Sequence, residues 1–350
     1  QRVEPDGLSR ITFADVKVRM ESAAARLAAV GVKKGDRVVL SAHNHPDWAL
    51  AYFGILRAGA TAVPVDSAMD SQGFVNIVRE SGATVVVRDE QVDEKIGAAL
   101  RESFPLYRGV DLHELTVEDV SLEAPAVDIS DADVASLIYT SGTTGHPKGV
   151  QLTHANFTSL IASLAPIFTI GSSDRVLSVL PLHHTFEFTC GLLLPFSRGA
   201  RVMYLDELTG DKISKALKLG RATAMVGVPA LWQLLERRIL GKVEDKGPIA
   251  EAVFEWGGEL NRKLGKTLGL DIGRLIFGQV HDELGGHIRL LVSGGAALPK
   301  DTAKTFQGLG LHLTEGYGLT EASPVLTVAK PNSPPGQVGK PIPGVTVKIA

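Results

Sequence analysis

A chain of 350 residues is longer than one hydrophobic core usually serves, so two closely associated lobes are expected. Composition is that of an ordinary globular protein, 44% hydrophobic and 21% charged, and the formal net charge of −3 gives no electrostatic case for a nucleic-acid partner. A polyanionic ligand would have to be held by local features. A single cysteine, Cys190, excludes an intramolecular disulfide and favours a reducing, cytoplasmic setting. It lies in FEFTCGLLLPF, where packing is the expected role. No CxxC or HExxH spacing suggests a structural zinc or a zincin. No apolar run is long enough to span a bilayer, and no N-terminal signal peptide is evident, which leaves peripheral membrane contact open. The chain opens on QRVEPDG and stops at GVTVKIA inside a strand-like run, the pattern expected of a piece of a longer polypeptide.

In chain order, short β-branched runs bounded by turn residues predict strands at 37–43, 61–66, 84–89, 136–140, 175–181, 200–205, 223–229 and 288–295. Amphipathic stretches predict helices between them. VKVRMESAAARLAAVG is expected to end on Gly31 as C-cap, and PDWALAYFGILRAG to start at Pro46 and end near Gly59. LWQLLERRIL places Leu231, Leu234, Leu235 and Ile239 on one face. Such alternation implies an α/β fold with mainly parallel sheets and helices on both faces, and ligands beyond the carboxyl ends of the strands. Residues 236–287 are charged and mostly helical and read as an insertion between two sheet strands.

The strand 136–140 runs into IYTSGTTGHPKGVQLTH, dense in glycine and hydroxyl side chains around one lysine. A plain turn is one reading. A phosphate cradle is the other: glycines admit backbone N–H groups close to an anion, the hydroxyls add donors and Lys148 adds charge. A helix expected to begin near Thr153 would favour phosphate further. The Walker pattern fails, because Pro147 stands five residues after Gly142 and Gly149 follows the lysine.

YTSGTTGHPKGV resembles the phosphate-loop signature of the adenylate-forming superfamily, which includes acyl-CoA synthetases, luciferases and peptide-synthetase adenylation domains. Thr140, Ser141, Gly142, Thr143, Thr144, Gly145, Pro147, Lys148 and Gly149 carry the resemblance. LTEGYGLTEASP (313–324) resembles that family's second nucleotide motif. Its residues also read chemically: Tyr317 offers a flat face to adenine, Gly316 and Gly318 allow close backbone approach, Thr320 offers a hydroxyl to the α-phosphate, and Glu321 is a hard oxygen ligand suited to Mg²⁺. Alone it would be a β-turn with a capping glutamate. SGGAALP (293–299) resembles the segment lining the adenine pocket, with Gly294, Gly295 and Ala296 leaving room for the base. As a bare motif it is a strand-to-helix turn with Pro299 near N1. LPLHHTFEF (180–188) resembles the substrate-side motif, with His184 bordering the acyl carboxylate. Strand-like alternation would point His183 and His184 to opposite faces, which argues against a shared metal.

The resemblance implies the layered α/β N-terminal domain of an adenylate-forming enzyme spanning residues 1–350, with the small C-terminal domain absent. RLIFGQVHDELGGHIRLLVSGGAALP resembles the long-chain fatty acyl-CoA synthetase branch. That branch implies ATP, Mg²⁺ and coenzyme A, and a fatty carboxylate converted to acyl-AMP and then to a thioester. An acyl carrier protein as acceptor, an aryl acid as substrate, and a binding module without catalysis remain alternatives. The implied site has Thr140, Lys148, His184 and Glu321 at the chemistry and Thr140 with Glu321 on the metal. The loop Ser141–Gly145, Gly294–Ala296 and Glu315–Glu321 would hold the nucleotide. Phe186, Phe188, Cys190, Leu192, Val228 and Trp232 would line an acyl tunnel, with core packing as the alternative for the two phenylalanines.

Overall fold

The structure is a computed structural model that describes residues 1–4, 7–140, 147–205, 208–330 and 333–349. The chain divides into two compact units. The first comprises residues 1–2, 9–160 and 181–188; the second comprises 3–8, 161–180 and 189–350.

Two short strands lead the chain, β1 (Arg2–Glu4) and β2 (Gly7–Ser9). The first unit then runs α1 (Phe13–Ala29), β3 (Arg37–Ser41), α2 (Pro46–Arg57), β4 (Thr61–Pro64), α3 (Ser71–Ser81), β5 (Val85–Arg88), α4 (Glu90–Ser103), β6 (Arg108–Asp111), α5 (Leu112–Thr116), β7 (Val134–Thr140) and β8 (Lys148–Thr153). Helix α6 (His154–Leu164) follows. Among the described residues the sheet has six strands in the order β6-β5-β3-β4-β7-β8, parallel except for the edge pair β7–β8. Val38, Val39, Leu40, Val86 and Val87 are fully buried. Such β-branched, doubly covered strands are what a parallel sheet between two helix layers needs.

Helix α2 starts as the sequence predicts, with Pro46 in its first turn and the His45 side chain accepting from the Asp47 N–H. Asp47 sits buried beside three cationic or imidazole groups. Arg19 donates to Oδ1 at 2.8 Å, and His113 Nδ1 and His45 Nδ1 lie 3.2 and 3.3 Å from Oδ2. Burial alone would raise its pKa, but the contacts with His45, His113 and Arg19 outweigh it and hold the carboxyl at about 2.

In the second unit, β9 (Arg175–Ser178), β10 (Arg201–Tyr204), β11 (Ala224–Gly227), β12 (Leu290–Ser293), β13 (Leu313–Gly318), β14 (Val325–Val328) and β15 (Lys340–Pro341) join β1 and β2 in one sheet. The order is β15-β14-β13-β12-β11-β9-β10-β1-β2. The middle strands β10, β9, β11, β12 and β13 are parallel, and β14 and β15 add antiparallel strands. Helices α7 (Leu194–Ser197), α8 (Gly210–Gly220), α9 (Pro229–Glu244), α10 (Pro248–Leu268), α11 (Gly273–Ile276), α12 (Gly278–Glu283) and α13 (Lys300–Gly308) complete it. The two mainly parallel sheets flanked by helices are the architecture expected from the sequence.

Four local expectations need correction. Helix α1 has Val30 as C-cap, and Gly31 follows at φ +93°. Pro299 is the N-cap of α13 rather than its first residue. Residues 180–186, expected as strand-like, form a turn and the start of a helix, continued by a π-helical segment Glu187–Leu193. The run Val345–Ile349 carries no strand pairing.

Candidate functional site

In the first unit, β7 and β8 make a hairpin whose last pair sets Thr140 opposite Lys148. The loop residues Ser141, Gly142, Thr143, Thr144 and Gly145 lie outside the described residues. Their frame is firm. Leu137 and Ile138 are buried, Ser136 Oγ bonds the Tyr52 hydroxyl at 2.5 Å, and Lys148 is exposed at the mouth. Helix α6 begins at His154, as expected near Thr153, and the strand Lys148–Thr153 stands between the loop and that helix start. The exposed–buried alternation at Gln151 and Leu152 fits β8 to an edge position. The helix waits for Thr153, whose Oγ1 accepts from the Asn156 N–H at 3.2 Å while Asn156 Oδ1 accepts from the Thr153 N–H at 2.9 Å.

The histidine turn also belongs to this unit. The Leu182 N–H donates to Asn44 Oδ1 at 3.0 Å, and the His184 N–H to the Pro181 carbonyl at 3.1 Å. Because the segment is a turn, the two rings do not point apart: their centroids lie 4.0 Å from each other. Burial, and then the neighbouring His184, pushes His183 down to about 4, against the pull of Asp66. Partial burial lowers His184 as well, again opposed by Asp66. The pair is therefore neutral near pH 7 and can accept or donate one hydrogen bond per ring nitrogen. No group of three metal-ligating side chains occurs among the described residues. Asn44 and Asp66 have no signal in sequence; they lie more than a hundred residues from the turn they serve.

Phe188 packs in an aromatic core. Its ring lies 4.4 Å from Tyr52, 5.4 Å from Phe157 and 6.0 Å from Trp48, centroid to centroid, while Phe186 is half-buried.

In the second unit the other two motifs occupy adjacent strands. Gly227 of β11, Ser293 of β12 and Glu315 of β13 are register partners across the sheet. Val228 and Gly294–Ala296 thus leave the sheet side by side at its carboxyl edge, while Gly316–Gly318 continue β13 beside them. The Gly294 N–H donates to the Gly227 carbonyl at 3.2 Å, and Gly295 has φ +80° with Val228 beside it. Glu315 is buried, and its Oε1 accepts from the Gly336 N–H at 2.9 Å, an anchor for the chain beyond β14. Gly316 and Tyr317 pair with β14, a register shift follows, and a Cβ at Gly318 would collide with the Pro324 carbonyl. Tyr317 is 52% exposed, so its ring face is available, and Glu321 stands exposed on a 3₁₀ turn spanning Thr320–Ala322.

Trp232 is fully buried at the start of α9, its indole against the Cα of Gly227, where a Cβ would come within 2.6 Å of it. Cys190 is buried and borders an apolar cavity of about 20 Å³ with Val176, Val226 and Val292, while Leu192 is buried and Val228 half-buried. Arg289, in the stretch singled out by sequence, is structural. It makes two hydrogen bonds to Asp174, at 3.0 and 2.7 Å, and one to the Thr169 carbonyl at 2.6 Å. That ties the start of β12 to the start of β9.

Two α/β units, one with a glycine-rich turn at strand carboxyl ends and an exposed tyrosine beside it, have the features of a nucleotide-binding fold. The family model described as AMP-binding enzyme matches residues 2–350, and the chain belongs to that family. It is 29% identical to the long-chain-fatty-acid–CoA ligase FadD15 of Mycobacterium bovis, over 97% of this chain and 61% of that protein. It is 27% identical to long chain acyl-CoA synthetase 8 of Arabidopsis thaliana, over 97% of this chain and 53% of that one. A feruloyl-CoA synthase of Amycolatopsis sp is 27% identical over 92% of this chain. The chain therefore spans little more than half the length of these relatives. The solved N-terminal domain of FACL13 from Mycobacterium tuberculosis superposes with a TM-score of 0.77 at 24% identity, covering 98% of this chain and 78% of that one.

Proposed function

We propose that the chain is the large domain of an AMP-forming acid–thiol ligase that activates a long-chain fatty carboxylate with ATP and passes the acyl group to coenzyme A. The observation that carries this reading is the register match of Ser293 with Glu315, which puts the two glycine-rich turns on neighbouring strand ends in one unit. Tyr317 would stack on adenine, and the backbone of Gly294–Ala296 would border the base edge. The substrate carboxylate attacks the α-phosphate, pyrophosphate leaves, and the thiol of coenzyme A then displaces AMP. No protein nucleophile is needed, so the residues act by alignment and by offsetting phosphate charge. Lys148 would neutralise the β- and γ-phosphates, and Thr320 would hydrogen-bond the α-phosphate.

Mg²⁺ would further neutralise the phosphates, and the residues fit a hard cation: Glu321 is an exposed carboxylate with no ion pair among the described residues, and Thr140 offers a hydroxyl. His184, neutral, would hold the substrate carboxylate by a hydrogen bond. Residues 236–287 would form the helical insertion of this branch, and the site would be completed by a C-terminal domain outside the chain. A tunnel past Phe186, Val228, Cys190 and Trp232 would read chain length at about 0.8 kcal/mol per methylene buried.

An aromatic acid is the second reading, favoured by the feruloyl-CoA synthase among the relatives. ATP–pyrophosphate exchange by the full-length protein, run from benzoate through octanoate to palmitate, tests both. Exchange rising toward palmitate is expected. Exchange with benzoate alone moves the substrate to the aryl class, and none with any acid overturns the ligase reading. Exchange without coenzyme A thioester formation would point to an acyl carrier protein as acceptor.

A further inference from the structure

The amino-terminal edge of the second unit's sheet carries a row of arginines. Arg201 and Arg175 open β10 and β9 and are register partners. Arg221 precedes β11 and Arg289 precedes β12, so four neighbouring parallel strands are each led by a guanidinium. Arg289 is neutralised by Asp174, but the others make no ion pair among the described residues. Arg221 Nε donates to His287 Nε2 at 3.0 Å, Arg175 Nε to the Arg221 carbonyl at 2.8 Å, and Arg274 to the Gly286 carbonyl at 2.5 Å. Each of these three makes that one bond and no ion pair among the described residues. Of the acids nearby, two are engaged: Asp174 holds Arg289, and Glu283 holds Lys218 and Lys242. Asp282, exposed and with its Oδ1 3.6 Å from where a Cβ on Gly286 would sit, makes no ion pair among the described residues.

We propose that Arg175, Arg221 and Arg274, gathered around His287, form a binding site for a phosphate or phosphodiester anion, at the edge of the sheet opposite the glycine-rich turns. A guanidinium carries five N–H donors in a fixed fork, so anchoring one to a carbonyl or an imidazole nitrogen sets its orientation and leaves the rest for an anion. The three bonds above act in this way. The accumulated positive charge also registers on His287: desolvation, and then Arg221, Arg175 and Arg274, hold it below the ordinary histidine value. It therefore stays neutral and keeps its nitrogen as acceptor for Arg221. Arg221 itself has a left-handed backbone, φ 49°, uncommon for a residue with a side chain. Leu219, two residues before Arg221, and Leu275, next to Arg274, are 44% and 85% exposed, so a lipid headgroup and a soluble phosphate ester both match the surroundings.

The test compares the wild type with an Arg175→Gln/Arg221→Asn/Arg274→Gln variant. The amides keep N–H donors at the three positions, and asparagine tolerates the left-handed backbone. Arginine Nε–H NMR resonances are followed while inorganic phosphate is added. In parallel, retention is measured on vesicles of 30% phosphatidylglycerol in phosphatidylcholine and on phosphatidylcholine alone. Saturable shifts at Arg175, Arg221 and Arg274, weakened at least about tenfold in the variant, are expected. Retention on the anionic vesicles that the variant loses assigns a lipid headgroup; phosphate binding without retention assigns a soluble ester. If neither probe binds, or both bind the variant as well as the wild type, the proposal is wrong. Should the triple variant not fold, Arg274→Gln alone, on an exposed four-residue helix, is expected to weaken binding about threefold. ATP affinity, measured alongside, is expected to stay unchanged, which separates this site from the nucleotide reading.

Discussion

The Thr140–Lys148 hairpin and the β12–β13–β14 region carry the two glycine-rich motifs by opposite means. In the hairpin, the described frame ends on an exposed lysine at the rim of an edge strand. In the second region the motif is woven into the sheet. Glu315 is buried and bonded, Gly318 meets the β14 side at a distance that excludes a side chain, Gly316 leaves only tight room for one, and Tyr317, Leu319 and Glu321 emerge. Chemistry supplied by a free side chain can be removed without touching the fold. Chemistry supplied by backbone approach cannot, because the same glycines close the strand pair.

The sharpest break in that comparison is expected at Gly318. Gly318→Ala drives a methyl into the backbone carbonyl of Pro324 and should cost about 3 kcal/mol or more, seen as a large drop in melting temperature together with lost activity. Lys148→Ala should do the reverse. Pyrophosphate exchange by the full-length protein should fall about a hundredfold while the melting temperature stays within a degree or so. A matched stability loss in Lys148→Ala would erase the distinction drawn here. Next comes Arg289→Ala, which takes the cation from the buried Asp174 carboxylate, leaves it only the Thr223 hydroxyl and the Gly171 N–H, and should destabilise by about 2 kcal/mol. The expected readout is a lower denaturant midpoint with Lys148-dependent exchange retained.

A smaller effect is expected from acid. Asp47 has a pKa of about 2 in the fold, below its unfolded value, so its stabilisation is full above the unfolded pKa and is lost as pH falls toward 2. The contribution is about 2 kcal/mol, so Asp47→Asn should lower stability near neutrality by about that amount and flatten the stability profile between about pH 4 and 2. Activity, by contrast, should show no inflection near pH 6.5 from the histidine turn, since His183 is held at about 4 and His184 is lowered too. Loss of exchange on titration through pH 6.5 in the wild type but not in His184→Asn would contradict the neutral pair.

Strand positions were legible because doubly covered parallel strands are written as dense β-branched runs, as in RVVLSAH and TVVVRD. Strand β8 was harder: KGVQLT alternates as a strand should, but the glycine and lysine draw it into the loop before it. The turn at 181–184 was misread because LPLHH is apolar enough for a strand, while what decides it is a distant amide, Asn44, taking the Leu182 N–H. Of the candidate site, Tyr317 and Glu321 were legible as chemistry. The clamp of Glu315 on Gly336, the Asp66 beside the histidines and the Asp174–Arg289 tie were not, since each depends on residues brought together only by folding.

The central claim is that the lysine hairpin and the tyrosine–glutamate segment serve one nucleotide. Its most direct test is a structure of the protein crystallised with ATP and Mg²⁺. The account predicts a single ATP with the Lys148 amine on its β- and γ-phosphates and the Tyr317 ring flat against its adenine. A bound ATP that touches one of these residues and leaves the other in solvent would contradict it.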